Sequence, residues 1–368
     1  PGTPGTPGAP GTPGTPGAPG TPGIPGTPGG PDDPNDSSNL TTIGNFEIIK
    51  KDKDTIPMPV VFTGGQPSFG DRQTGEKKVV EHFMPRSRVD LDLTKAITAN
   101  GFKEFEKAQN DGKTELNVQY MGSLGNFKDN YRITNYDSKT NGINLILTKD
   151  FNNFTLGGGF GYEKAKIKYK NLFEGIKEDI DAYQIMTGGK YNFTDNVDVT
   201  GILTYSHNVH DFKTPGKKPV EGFKFNSNIF DFQTRLSSKY GEDNIGYVKP
   251  YVGLGITRVE EGAVGKIGAG KASGTSPNAT LGVYGQFSLG SYVDLFGNFE
   301  YEHRFNRKSY HRERGFKSGN KIYSLDYDGG ANIGLGLKYN LPGFNLTTAY
   351  ELFNDKNSIF RVGFNKEF

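Results

Sequence analysis

Ala331-Asn332-Ile333-Gly334-Leu335-Gly336-Leu337-Lys338-Tyr339 runs through the turn Leu341-Pro342-Gly343 into Phe344-Asn345-Leu346-Thr347-Thr348-Ala349-Tyr350-Glu351-Leu352. Two runs of about ten residues, apolar at every second position and joined by a tight turn, read as an antiparallel strand pair. The alternate positions hold full charges. Lys338 and Glu351 sit between apolar neighbours, and Lys249, Glu300, Glu302 and Arg361 occupy the same kind of place. Large charges on one face and Leu, Ile and Tyr on the other suit a sheet with lipid outside and a wet lumen inside, so these six are expected to face the lumen. Gly253, Gly255, Gly334 and Gly336 fall on the inward face too, where missing side chains would leave room for something in the pore.

The same period extends in both directions. It passes through Leu116–Tyr120, Ile143–Leu147, Phe154–Tyr162, Tyr183–Phe193, Val197–Tyr205, Phe230–Leu236, Val248–Ile256, Leu281–Leu289 and Val293–Tyr301, and ends in Phe360–Phe368. That makes about twelve strands, an even number, as expected when both ends of a barrel lie on one side. At about 3.3 Å per residue and a tilt near 45°, ten residues cross the roughly 25 Å apolar band of an outer membrane. Sandwich strands average about half that length. Short turns at Asn152-Asn153, Thr194–Asn196, Gly290-Ser291 and Leu341–Gly343 alternate with long polar loops at His207–Asn226, Glu260–Pro277 and Arg307–Asn320. Tight turns on one side and long loops on the other are the asymmetry of membrane barrels. Tyr292, Tyr339 and Phe344 at strand ends fit interfacial girdles.

Composition agrees. No run of about eighteen apolar residues is available for a spanning helix. The 43 basic and 41 acidic residues nearly cancel, leaving no field to hold nucleic acid. Absence of cysteine excludes disulfides and thiolate chemistry. The chain starts at Pro1 inside a repeat with no initiator Met or leader, and is expected to be the C-terminal piece of a longer exported precursor.

Residues 1–31 repeat Pro-Gly-Thr and Pro-Gly-Ala. Nine or ten such triplets are few for a triple helix, and Pro/Gly composition builds no core, so a disordered, polyproline-like spacer is expected. Residues 32–88 form a junction with an apolar patch at Pro59–Phe62 and no legible fold. Within 89–112, Leu93, Ile97, Phe102 and Phe105 have amphipathic helical spacing. Gly101 costs such a helix about 1 kcal/mol relative to Ala, which predicts a kink or split there. Residues 113–368 make up the barrel.

Taken together, a helix followed by twelve strands and a terminal Phe resembles the translocator domain of monomeric (type Va) autotransporters. Lys249-Pro250-Tyr251-Val252-Gly253-Leu254-Gly255, Ala331–Tyr339 and Val362-Gly363-Phe364-Asn365 look like that family's last strands. The resemblance implies an all-β, 12-stranded antiparallel transmembrane barrel with the helix in its pore, in a Gram-negative outer membrane. It implies type V secretion: an upstream passenger is exported and displayed at the cell surface by a monomeric barrel. It further implies that Phe360, Phe364 and Phe368 form the signal read by the barrel-assembly machinery, with periplasmic chaperones as additional partners. Where the family commonly has another aromatic, this chain has Lys366, whose cost near an interface is only ~0–1 kcal/mol. Some family members sever the passenger inside the helix by asparagine chemistry, which makes Asn100-Gly101 a candidate cleavage point.

Other chemistry reads as absent. Gly265–Ala272 nearly spells a phosphate loop, but Ala272 stands where a hydroxyl should meet magnesium. His207, His210 and Asp211 read as solvated loop residues, and His303 points away from Glu300 and Glu302. Neither a metal nor a cofactor nor a catalytic set is expected. A general porin is the alternative from the transport class, and a surface-loop adhesin is another. A porin has no use for a Pro-Gly repeat and a plug.

Overall fold

The computed structural model describes residues 40–43, 46–49, 60–62, 87–107, 112–127, 136–170, 177–213, 223–262, 269–305, 310–314, 321–323, 329–353 and 357–368. The Pro-Gly spacer lies outside them, as do most of the junction and the tips of the long loops.

In the junction, β1 (Leu40–Ile43), β2 (Phe46–Ile49) and β3 (Val60–Phe62) form a three-stranded antiparallel sheet, so the apolar patch at Pro59–Phe62 is largely a strand. A single helix, α1 (Ser87–Lys107), precedes the barrel. The barrel wall comprises β4 (Thr114–Phe127), β5 (Tyr136–Phe151), β6 (Phe154–Tyr169), β7 (Lys177–Asn192), β8 (Val197–Lys213), β9 (Phe223–Ser238), β11 (Gly246–Glu261), β12 (Ala269–Ser288), β13 (Val293–Arg304), β16 (Gly329–Leu341), β17 (Phe344–Phe353) and β18 (Asn357–Glu367). Each wall strand pairs antiparallel with the next, and β18 returns to β4. This is a closed barrel of twelve strands. Short β10 (Tyr240–Glu242) edges a turn, while β14 (Tyr310–Arg314) and β15 (Lys321–Tyr323) form a hairpin on an extension of β12.

Closure follows from the solvent. In hydrocarbon an unpaired backbone N–H or C=O has no water to turn to, so the edge strands must find each other. They pair in unbroken register from Asn357↔Gly125 to Glu367↔Glu115. The Thr114 and Phe368 backbones finish the seam, each N–H donating to the other's carbonyl at 3.3 and 2.9 Å.

Tight turns at 152–153, 193–196, 239–245, 289–292 and 342–343 share one end of the barrel with both of its termini, and the long connections share the other. Asn152 (φ 44°) and Gly343 (φ 84°) take the left-handed backbone that two-residue hairpins need.

Most strands are longer than the alternation suggested. Six of the twelve wall strands run to 16 or 17 residues and β12 reaches 20, because ladder pairing continues past the lipid band with polar residues facing outward, while β13, β16, β17 and β18 keep to 10–13. The expected loops at His207–Asn226 and Glu260–Pro277 are therefore partly strand: β8 runs on to Lys213, β9 starts at Phe223, and β12 starts at Ala269. β14 likewise falls within the expected loop Arg307–Asn320.

Outside, the apolar band is edged by aromatics. Tyr162 packs on Tyr183 and Tyr205 on Phe230 toward the loop end, while Phe151–Phe154, Tyr191–Phe193 and Phe344–Phe364 pair toward the turns. Leu147 lies between the two rows on β5, on the same outward face as Leu145 and Ile143. Leu147→Arg should therefore destabilise the barrel in vesicles by roughly 2–4 kcal/mol, measured by urea unfolding. A change under about 0.5 kcal/mol would mean that this face does not meet lipid.

Candidate functional site

The lumen is occupied by α1. Twenty-one residues at 1.5 Å each give it a length of about 31 Å, enough to span the apolar band. Its sides are buried almost all round, including the polar residues Asp90, Thr94, Thr98, Asn100 and Glu104. A helix with so little free surface must satisfy two different walls at once.

One wall is apolar and notched. Ile97, Phe102 and Phe105 form a cluster with Ile146, Met186 and Ile202 of β5, β7 and β8. Gly157 of β6 pairs directly with Gly188 of β7, and the Phe105 ring sits over both. A Cβ at either glycine would lie 2.9 Å from that ring. Gly161 makes the same allowance for Ile97, whose Cδ1 would be 3.0 Å from a Cβ there. The helix returns the favour at Gly101, where a Cβ would strike the Met186 sulfur and come within 3.0 Å of Ile202. The predicted split at Gly101 does not occur: α1 is continuous, and a side chain at this position would have to displace the ends of Met186 and Ile202. The helical cost is offset by close packing.

The opposite wall is ionic. Lys95 pairs with Glu302, which also holds Arg304 at 2.6 Å. Lys103 pairs with Glu351, to which Arg361 Nε donates at 3.2 Å. Arg361 Nη1 donates to Gln119 at 2.9 Å and to the Ala96 carbonyl at 3.4 Å, tying β18, β4 and the helix together. Lys249 joins Glu106 of the helix and lies 2.6 Å from Asp198 of β8. Arg235 pairs with Glu300 and stacks over the Phe102 ring at 3.8 Å, while the Tyr251 hydroxyl donates to Glu300 at 2.8 Å. Lys338 lies 4.0 Å from Asp294 near the turn end. Lys249, Glu302, Glu351 and Arg361 touch the helix or its partners directly, Glu300 does so through Arg235, and Lys338 lines the vestibule beneath.

Polarity of the helix is set at its two ends. Asp90 accepts from Ser227 and lies 3.1 Å from His210 Nε2, whose Nδ1 is 2.7 Å from Glu178. These are loop-end positions of β7, β8 and β9. Glu106 reaches Lys249, which also pairs with Asp198, near the turns. The helix therefore enters at the long-loop mouth and leaves toward the turns, where it leads into β4. Next to the turns lies a vestibule of about 530 Å³ lined by Glu106, Lys190, Asp198, Lys249, Asp294 and Lys338. Beside Lys103 and Arg235 the gaps shrink to about 30 and 40 Å³, room for about one water each.

Asn100 is buried in mid-helix, and its Nδ2 donates to Asn117 Oδ1 at 3.1 Å. Asn117 in turn donates to Asn365, which carries the chain of amides into the last strand. On the outer face of that strand Phe360 and Phe368 are exposed, Phe364 leans on Phe344, and Lys366 Nζ lies 5.1 Å above the Phe368 ring.

Several residues of the site were not read from the sequence. The glycine notch is one, although Gly157, Gly159 and Gly161 at alternate inward positions were a visible signal of a bare groove. Gly253, Gly255, Gly334 and Gly336 do face inward, but the space beside them is filled by Thr280, Gln233, Asn298 and Phe296 of the wall itself. His210 is another: it is no solvated loop base but is buried between two carboxylates, while His207 and Asp211 alternate to the other face. His303 is exposed on the outside, away from Glu302. Ala269–Ala272 belong to β12, and the rest of Gly265–Ala272 lies outside the described residues. Among the described residues no group of three His, Cys, Asp or Glu is placed to hold a metal.

No curated protein sequence matches the chain. The translocator domain of the autotransporter NalP from Neisseria meningitidis has a similar structure, with a TM-score of 0.59 at 11% identity, over 78% of this chain and 98% of that one. The β-domain of the Bordetella autotransporter BrkA is similar at a TM-score of 0.51 and 14% identity, over 70% of this chain and 100% of that one. These likenesses speak for the fold. The family model for the autotransporter beta-domain matches residues 116–351, the greater part of the chain and almost the whole barrel wall. A twelve-stranded wall closed by its last strand, with a helix threaded through it from the loop side, is accordingly the outer-membrane β-domain of a Gram-negative bacterium, and the chain belongs to the autotransporter family.

Proposed function

We propose that the barrel exports a passenger N-terminal to it and then anchors that passenger at the cell surface, with α1 remaining in the lumen as the plug. The direction of the helix carries this reading. Its first turn lies at the long-loop mouth and its last at the turn-side vestibule, so chain that precedes α1 departs from the outer mouth. In this reading 1–31 is the spacer, 32–88 the junction, 89–112 the plug and 113–368 the barrel. A general porin would need an open lumen, and this one holds a helix held by ion pairs and by apolar packing.

The ionic wall acts as a reversible seat. Lys249, Glu302, Glu351 and Arg361 meet the helix as charges, and Glu300 does so through Arg235; water can satisfy them while a chain is moving and their pairs re-form when it stops, whereas the Phe105 notch fixes the final register. Planar-bilayer conductance tests the plug. Deleting residues 87–110 should raise single-channel conductance severalfold and Phe105→Ala should make closure intermittent; equal conductance in all three proteins would sink the idea.

Phe360, Phe364 and Phe368 serve assembly. An unpaired β18 carries an aromatic outer face and a free backbone edge, which suits strand addition to a barrel-assembly partner after escort by periplasmic chaperones. Removing Phe368 together with Phe364→Ala should cut surface display of the passenger at least about tenfold, scored by protease accessibility on intact cells. Undiminished display would refute the signal.

For Asn100-Gly101 the geometry favours retention of the bond. Cleavage would require the Asn100 Nδ2 to attack the Asn100 main-chain carbonyl carbon and expel the Gly101 nitrogen, and that Nδ2 is engaged with Asn117 within a continuous helix. Intact-mass analysis of the membrane-embedded chain should find α1 joined to the residues before it. A new N-terminus at Gly101, abolished by Asn100→Gln, would instead make this the cleavage site.

A further inference from the structure

The outer face changes character just beyond the loop-side aromatic row. Ile143, Tyr162 and Tyr183 lie in one row across β5, β6 and β7. Successive outward-facing rows toward the loop end are Asn141–Lys164–Asp181, then Lys139–Lys166–Asp179, then Asp137–Lys168–Lys177. Lys139 thus stands directly opposite Lys166, and Lys168 directly opposite Lys177. Like charges opposed across a ladder destabilise it unless a counter-charge sits between them.

The protein's own carboxylates supply only part of it: Asp179, opposite Lys166, is the one carboxylate in the Lys139–Lys166 row, against four lysines in the two like-charge pairs. Asp181 is taken by Lys164 at 3.4 Å and by the Tyr162 hydroxyl at 2.7 Å, and Asp137 by Lys170 at 2.7 Å. Lys139, Lys166, Lys168 and Lys177 are all exposed. On β4, β9 and β11 the outer face toward the loop end is neutral or self-paired among the described residues. β4 offers Gly122, Leu124 and Asn126, β9 offers Asn226 and Asn228, and on β11 Arg258 is joined to Glu260 at 2.7 Å.

Height identifies the counter-charge. Two residues advance about 6.6 Å along a strand, or about 5 Å along the membrane normal at 45° tilt. Lys164, Lys166 and Lys168 stand about 5, 9 and 14 Å beyond the Tyr162 row. That is the headgroup zone, and the long-loop side makes it the outer leaflet. Directly below, Ile143, Leu145 and Phe160 offer an apolar track for acyl chains.

We propose that the Lys139–Lys166–Lys168–Lys177 face is a lipid site that takes the phosphate groups of a phosphorylated outer-leaflet glycolipid, its acyl chains lying on the apolar strip beneath. Each lysine near a membrane surface contributes on the order of 1 kcal/mol toward an anionic headgroup. The like-charge rows are then the binding geometry, and the lipid is the counter-ion that completes the ladder.

The experiment uses the full chain in phosphatidylcholine vesicles, alone or doped with lipid A, with dephosphorylated lipid A, or with inorganic phosphate in the buffer. Readouts are the midpoint of heat-dependent gel mobility and native mass spectrometry of retained lipid. Lipid A should raise the midpoint and remain as an adduct. In the triple variant Lys139→Gln, Lys166→Gln, Lys168→Gln retention should fall at least about tenfold, while the corresponding triple Arg variant keeps it. The proposal is overturned if the Gln variant retains lipid A as well as the wild type does, or if dephosphorylated lipid gives the same shift. A shift reproduced by inorganic phosphate alone overturns it too, since the site would then belong to a soluble anion.

Discussion

Everything else in this molecule depends on the pairing of β18 with β4. A membrane-spanning sheet with a free edge would leave a column of N–H and C=O groups in hydrocarbon, each costing several kcal/mol. Closing the edge removes that penalty and at once creates a lumen, which then has to be lined and filled. The last strand serves both tasks. Its outer side presents Phe360, Phe364 and Phe368, and its inner side sends Arg361 and Asn365 into the network that holds α1.

The filling uses two kinds of force with different ranges. On the β5–β8 side an aromatic ring enters a pair of facing glycines, an interaction that falls away within a fraction of an ångström and so fixes one register. On the β11–β18 side long lysine and arginine stems carry charges that accommodate small displacements. Neither wall alone would do. Apolar packing all round would exclude the water a translocating chain needs, and ion pairs alone would not select a resting position.

This division also explains Gly101. In an isolated helix it is a defect worth about 1 kcal/mol, and a kink is the natural expectation. Inside the barrel it lets the helix approach Met186 and Ile202 without displacing their side chains, so packing offsets propensity. Asn100 shows the same override: its amide, a reactive group in a flexible chain, becomes a link to Asn117 and through it to Asn365.

The sequence by itself determined the twelve strands, the side on which the turns lie, the membrane and the presence of the helix. Those features follow from periods of two and 3.6 and from turn residues, which are local and survive in one dimension. Only the tertiary structure decided which glycines make room for the helix and which are filled by wall side chains, because Gly157 and Gly334 have the same inward phase and differ in whether the helix or a neighbouring strand's side chain takes the space beside them. It also decided that the strands outrun the lipid, that His210 is buried between Asp90 and Glu178, and that four lysines face one another in pairs above the aromatic row. Cross-strand register sets all of these, and register is a property of two segments at once, invisible to the reading of either one alone.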